Sequence, residues 1–213
     1  MVSIIPGIFT SDEKELEHRI ALVSPFVEWV QIDIADSTLV SAQSLTDEKI
    51  LTDILIPYKK TGPKFEAHMM VSHPEQYLEG LVRAGFSRFM VHVECQDIRE
   101  FLAEARTHEV EIGIGIDTET DLETVEPFLE EIDSVLVMTV DAGASGQAFQ
   151  PEMVEKIKVI HRNFPDLPIE VDGGMNEETV KTVVDAGATR IVSTSYIFKE
   201  ENRIGEAIDS LRG

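Results

Sequence analysis

The chain has 213 residues, 43% of them hydrophobic, with 40 acidic residues against 18 Lys and Arg and a formal net charge of -22. That balance argues against nucleic acid or an anionic membrane as the main partner, and an anionic ligand would need locally arranged donors to enter so negative a field. Cys95 is the only cysteine, so no internal disulfide exists. No apolar run approaches a membrane span, and the opening stretch lacks the basic flank of a signal peptide, so one domain over 1–213 in the cytoplasm is expected.

The first apolar run, VSIIPG (2–7), reads as a strand and leads into SDEKELEHRIALV, a helix with Ser11 as its expected N-cap. WVQIDI (29–34) is the second strand; its Gln31 and Asp33 are two apart and share one side. KFEAHMMV (64–71) carries His68 and Met70 and precedes HPEQYLEGLVRAG, a helix with Pro74 in its first turn and Gly85 past its end. RFMVHVE (88–94) carries His92, and VEIGIGID (110–117) follows. SVLVMTV (134–140) leads through Met138 and Thr139 to Asp141, and PIEVDGG (168–174) ends in Asp172, Gly173 and Gly174. NEETVKTVVDAG is a helix capped by Asn176 and stopped by Gly187. RIVSTSYIF (190–198) is the eighth strand, and KEENRIGEAIDSLRG closes the chain as a helix.

These runs are Val/Ile-rich with little polar alternation, which suits parallel strands buried on both faces. Eight strand–helix units predict an α/β fold of the (β/α)8 TIM barrel type. The rival, a doubly wound open sheet, ordinarily has fewer strands, and no G-x-G-x-x-G marks the first strand–helix turn.

A barrel's active site lies at the C-terminal ends of its strands. Asp33, His68 and Asp172 fall there inside apolar runs, where an unpaired charge is costly. Two carboxylates and an imidazole at one rim suit a divalent metal. His92 reads equally well as a hydrogen-bonded core residue, and Asp36 as a helix cap or a solvated side chain. DAGASGQ (141–147), DGG (172–174) and STS (193–195) place Gly-rich or Ser/Thr turns after the last three strands, where backbone N–H groups bind phosphate in such barrels.

Five stretches resemble the ribulose-phosphate 3-epimerase family over nearly the whole length: WVQIDIAD, AHMMVSHPEQY, VLVMTVDAGASGQAF, IEVDGGMNEET and AGATRIVSTSYIF. The resemblance implies a ribulose-phosphate-binding barrel, a small phosphorylated sugar as substrate and, as is usual in that family, a homo-oligomer. It implies a metal site at Gln31, Asp33, His68 and Asp172, with Asp33 and Asp172 doubling as acid and base. It places Gly7, Met70, Met138, Gly143, Ala144, Ser145, Gly146, Gly173, Gly174, Thr194 and Ser195 around the substrate and its phosphate.

The pattern departs from the family at definite points. Gln31 stands where the family has a second histidine ligand, and Gly7 where it has a substrate-contacting serine. STLVSAQSL lacks the Pro-Asn pair of the loop after the second strand, Ala35 replaces a methionine, and Thr194-Ser195 replaces Gly-Ser. The expected ion is manganese, magnesium, zinc or iron, shifted away from zinc by the glutamine, or no ion at all. Two alternatives to an epimerase follow. One is a sugar-phosphate-binding barrel that has lost catalysis or changed function. The other is a phosphosugar aldolase or decarboxylase, whose Asp-x-Lys-x-x-Asp stretch is missing its Lys in Asp33-Ile34-Ala35-Asp36.

Overall fold

Strands and helices alternate from end to end in the computed structural model, which describes residues 2–144 and 146–213. The order is β1 (Ser3–Ile8), α1 (Glu13–Val23), β2 (Trp29–Ala35), α2 (Glu48–Leu55), β3 (Lys64–Met70), α3 (Glu75–Ala84), β4 (Phe86–His92) and α4 (Ile98–Ala105). It continues with β5 (Glu111–Ile116), α5 (Leu122–Val125), β6 (Ser134–Met138), α6 (Met153–Asn163), β7 (Ile169–Asp172), α7 (Thr179–Asp185), β8 (Arg190–Ser193) and α8 (Ile204–Arg212). Each strand pairs in parallel with the next, and β8 pairs with β1, so the sheet closes into the expected barrel. No helix among the described residues is long and apolar enough to cross a membrane.

Closure gives every strand two buried faces. All seven residues of β2 are buried, which explains why its apolar run shows no alternation with polar residues. The outward-facing side chains meet one stripe of each helix, such as Leu16, Ile20 and Val23 of α1 and Leu78 and Leu81 of α3. Burying each such side chain contributes about 1.5–3 kcal/mol.

Some boundaries differ from the sequence reading. Asp12, not Ser11, caps α1, because its carboxylate accepts the Glu15 N–H at 2.9 Å. β8 stops at Ser193 rather than running to 198, since the chain turns there and enters a short 3-10 helix at Ile197–Lys199. Gly85 follows α3 and Gly187 follows α7, both at φ +117°. Asn176 accepts the N–H groups of Glu178 and Thr179, so it closes the turn leading into α7.

The floor of the barrel is charged. Arg88 donates to Glu66 at 2.8 Å and to Glu111 at 2.8 Å, lies 3.9 Å from Glu170, and stacks 3.6 Å from the centre of the Trp29 ring. Glu66 and Glu170 are fully buried; one oxygen of Glu66 and both of Glu170 have no hydrogen-bond partner among the described residues. Burial and the neighbouring Glu66 push the Glu170 carboxyl well above its ordinary range, against the pull of Arg88.

Candidate active site

Register delivers the functional side chains. Gln31 lies opposite Gly7, Asp33 opposite His68, and Asp172 opposite Met138. Because β2 is regular, Gln31 and Asp33 both point into the barrel, one above the other. Asp33 is 7% exposed, His68 1% and Gln31 not at all.

His68 Nδ1 lies 2.9 Å from Asp33 Oδ1 and 3.6 Å from Asp172 Oδ2. The Gln31 amide nitrogen donates to both carboxylates, at 3.3 Å to Asp33 and 3.1 Å to Asp172. Asp33 and Asp172, from strands separated by β1 and β8, therefore face one small polar centre with no apolar side chain between them. Thr139 holds the end of β7 in place: its hydroxyl donates to the carbonyls of Asp172 and Gly173 at 3.0 and 2.6 Å.

Burial, with the nearby Glu66 charge, pushes the Asp33 carboxyl up to about 8. Burial and the Asp33 charge push Asp172 up to about 6, against the His68 charge, which pulls it down. Burial and His92 push the His68 imidazole down to about 4. The shared cause is burial, which disfavours the charged form of each group; a cation among the three would draw both carboxyls back down and keep the His68 imidazole neutral.

The donor set fits a divalent ion. Asp33, His68 and Asp172 each offer one ligand atom, and these atoms all lie within 4.8 Å of one another. An imidazole nitrogen with carboxylate oxygens is a common ligand set for zinc, manganese and iron. The Gln31 oxygen is buried with no hydrogen-bond partner among the described residues, whereas its nitrogen faces the cluster.

Above this centre the barrel opens into a cleft of about 530 Å3, including its mouth. Met70 and Met138 wall it beside the three ligand-type residues. Gly143, Ala144 and Gly146 reach it from the loop after β6, Gly173 and Gly174 from the turn after β7, and Thr194 and Ser195 from the turn after β8. Ser145 lies outside the described residues. Gly173 and Gly174 have φ of +115° and +66°, and a Cβ on either would fall under 3 Å from Val140 or Phe149, so only glycine makes this turn without strain.

Gly7 lies deeper than the cleft wall. A Cβ there would come 2.8 Å from the Thr194 hydroxyl and 2.9 Å from Val192. The Thr194 hydroxyl thus occupies the space that a side chain at position 7 would take. Gly7→Ser is expected to cost about 1–3 kcal/mol by overpacking, and adding Thr194→Gly should recover part of it, the Val192 contact remaining. Urea denaturation of the two single variants and the double variant checks this; additive losses would contradict the shared space.

Asp36 does not cap a helix. Its carboxylate accepts from the Thr38 N–H and hydroxyl and from the Tyr77 hydroxyl, tying the loop after β2 to α3. Asp47 caps α2 instead. Asp141 accepts from Thr118 and Gln150 and so joins the loops after β5 and β6.

His92 is the neighbour that sequence reasoning leaves undecided, and Glu94 the one it misses. His92 Nε2 lies 2.9 Å from His68 Nε2, and His92 Nδ1 lies 3.1 Å from Glu94 Oε2. Burial pushes the Glu94 carboxyl up, but His92, Thr120 and the Asp117 N–H outweigh it and hold the group at about 2. The available signal is the spacing: His92-x-Glu94 repeats that of Gln31-x-Asp33 on a neighbouring part of the same rim.

Comparison with known proteins agrees with this geometry. A sequence profile of the Ribulose-phosphate 3 epimerase family matches residues 2–198. The ribulose-phosphate 3-epimerase of Schizosaccharomyces pombe is 35% identical, covering 99% of this chain and 90% of that protein. A cytoplasmic isoform from Oryza sativa subsp. japonica is 34% identical, covering 98% and 92%, and the Bacillus subtilis enzyme is 29% identical, covering 100% and 99%. Among solved structures, 3-keto-L-gulonate-6-phosphate decarboxylase from Vibrio cholerae superimposes with a TM-score of 0.75 at 11% identity, covering 99% of this chain and 95% of that one. A 3-hexulose-6-phosphate synthase superimposes with a TM-score of 0.73 at 15% identity, covering 99% and 98%. These two likenesses show the fold alone. The full-length matches go further: this chain belongs to the ribulose-phosphate 3-epimerase family and is a carbohydrate epimerase, in the isomerase class.

Proposed function

We propose that the chain epimerises ribulose 5-phosphate at C3, beside the ketone, with Asp33 and Asp172 as the two proton-transfer groups. What carries this reading is the pair of carboxylates bridged by one amide in a common cavity, 3.3 and 3.1 Å from the Gln31 nitrogen. Inversion at a carbon needs a base on one face and an acid on the other. One carboxylate takes the C3 proton. The C–H electron pair becomes the C2–C3 double bond, and the ketone oxygen takes up the negative charge as an enediolate. The other carboxyl gives its proton to the opposite face of C3, and the carbonyl reforms.

Asp33, His68 and Asp172 would hold a divalent ion, and a half-turn of the Gln31 amide would bring its oxygen inward as a fourth ligand. Such an ion, when bound, supplies positive charge for the enediolate oxygen. Met70 and Met138 exclude water from the same wall. Backbone N–H groups of Gly143, Ala144, Gly146, Gly173, Gly174, Thr194 and Ser195 would receive the phosphate, giving it local donors in a chain of charge -22.

The test is turnover of ribulose 5-phosphate to xylulose 5-phosphate by protein stripped with a chelator and reloaded with manganese, magnesium, zinc or iron. Activity is expected to fall on stripping and return on reloading. An amide oxygen is a harder and weaker donor than an imidazole, so Gln31→His should move the preference toward zinc. No turnover with any ion would sink the reading, and an unchanged ion preference in Gln31→His would remove Gln31 from the ligand set.

A further inference from the structure

We propose that His92 and Glu94 are positioning residues that set the tautomer of His68, keeping its Nδ1 lone pair aimed at Asp33 and Asp172. The inference rests on the metal-site reading above and explains how that site is built.

The chain of contacts runs in one line from the rim to the centre. Glu94 Oε1 accepts the Asp117 N–H at 2.9 Å and the Thr120 hydroxyl. Its other oxygen lies 3.1 Å from His92 Nδ1, His92 Nε2 lies 2.9 Å from His68 Nε2, and His68 Nδ1 lies 2.9 Å from Asp33 Oδ1. Both rings are 1% exposed and stack with centroids 5.1 Å apart, so neither has water to satisfy it or room to turn.

Each neutral imidazole has one N–H and one lone pair. Carboxylates stand at both ends of the pair and can only accept, so Glu94 draws the His92 proton to Nδ1 and Asp33 draws the His68 proton to its own Nδ1. Without an ion these two pull against each other, because the facing Nε2 atoms, 2.9 Å apart, need one proton between them. In the ion-loaded centre the His68 Nδ1 lone pair, 2.9 Å from Asp33 Oδ1 and 3.6 Å from Asp172 Oδ2, would be used for the ion. His68 then donates from Nε2 to His92 Nε2, and His92 donates from Nδ1 to Glu94, so every contact is satisfied. Reversing the relay would put a proton into the ion's place. Metal-binding histidines are commonly oriented by a carboxylate on the far ring nitrogen; here a second histidine carries that effect between paired strands, from β4 to β3.

Glu94→Gln is a directed test. The Asp117 N–H and Thr120 hydroxyl both need an acceptor, so they hold the new amide oxygen where Glu94 Oε1 is. That leaves the amide NH2 facing His92 Nδ1, and the whole chain should invert, placing a proton on His68 Nδ1. Two readouts are used on the full-length protein: the ring tautomers, from histidine 1H–15N NMR of the zinc-loaded and ion-free protein, and manganese affinity by calorimetry. The zinc-loaded wild-type chain should carry its His68 proton on Nε2 and its His92 proton on Nδ1. Glu94→Gln should carry the His68 proton on Nδ1 when ion-free and bind manganese about 10- to 100-fold more weakly, with unchanged circular dichroism. A His92 proton on Nε2 in the zinc-loaded wild-type chain overturns the proposal, as does wild-type manganese affinity in a folded Glu94→Gln. Should Glu94→Gln not fold, the zinc-loaded wild-type tautomers alone decide. Failure of wild-type protein to take up any ion would defeat the metal-site reading instead, and a His68 proton on Nε2 in ion-free Glu94→Gln would still reject the relay.

Discussion

Asp172→Asn and Asp33→Asn, made separately, are each expected to lower kcat/KM for epimerisation by about 10²- to 10⁴-fold, the usual contribution of a positioned acid or base. Asparagine keeps the volume and an oxygen for the Gln31 amide nitrogen, so geometry should survive. Stability should not suffer. Burial already pushes Asp33 to about 8 and Asp172 to about 6, so a neutral side chain relieves a desolvation penalty. Circular dichroism and thermal melts should therefore match or exceed wild type while a coupled assay shows the loss. Wild-type turnover in either variant would refute a scheme in which both carboxyls move protons.

The largest stability effect is expected at the floor, far from the chemistry. Arg88→Met removes the cation that faces Glu66, Glu111 and Glu170 and the guanidinium stacked on Trp29. Glu66 is fully buried, and among the described residues Arg88 is the one cation that forms an ion pair with it; Arg190, in the same cluster, pairs with Glu111. Breaking such a pair costs about 3–5 kcal/mol, because the remaining charge is stranded. For a chain of this size that is a fall in melting midpoint on the order of 10 °C. Combining Arg88→Met with Glu66→Leu and Glu170→Leu should restore most of the loss, since an apolar cluster of similar volume is often as stable as a buried ion cluster. Differential scanning calorimetry separates the outcomes. A melting point unchanged in Arg88→Met would mean that water already satisfies these carboxylates.

The eight strands are legible because each lies under a helix and over a filled barrel, so both faces select Val, Ile and Met. Strand ends are less so: RIVSTSYIF regains apolar residues at Tyr196, Ile197 and Phe198, yet the paired strand ends at Ser193, where the backbone turns into the Ser193-Thr194-Ser195 stretch. Asp33, His68 and Asp172 stand out because an ionisable group inside an apolar run demands a reason. What closure alone reveals is how layers meet. Glu66 and Glu170 sit two residues before His68 and Asp172, and read singly they resemble ordinary strand-edge polarity; the register Glu170 to Arg190 and Glu66 to Arg88 stacks them into one buried cluster. The direction of the Gln31 amide and the His92–Glu94 contact depend on which nitrogen faces which oxygen, and spacing carries no such information. The exchange of space between Gly7 and Thr194 joins positions at opposite ends of the chain through the β1–β8 closure.

The most direct measurement is deuterium wash-in from heavy water, followed at C3 of each pentulose phosphate with the two aspartate variants. A lone remaining carboxylate can still take a proton from one face and return solvent deuterium to that same face. Each variant should therefore label only one of the two epimers, the opposite one in each case, without interconverting them. Labelling of the same epimer by both variants, or of both epimers by either, would contradict the placement of Asp33 and Asp172 on opposite sides of the reacting carbon.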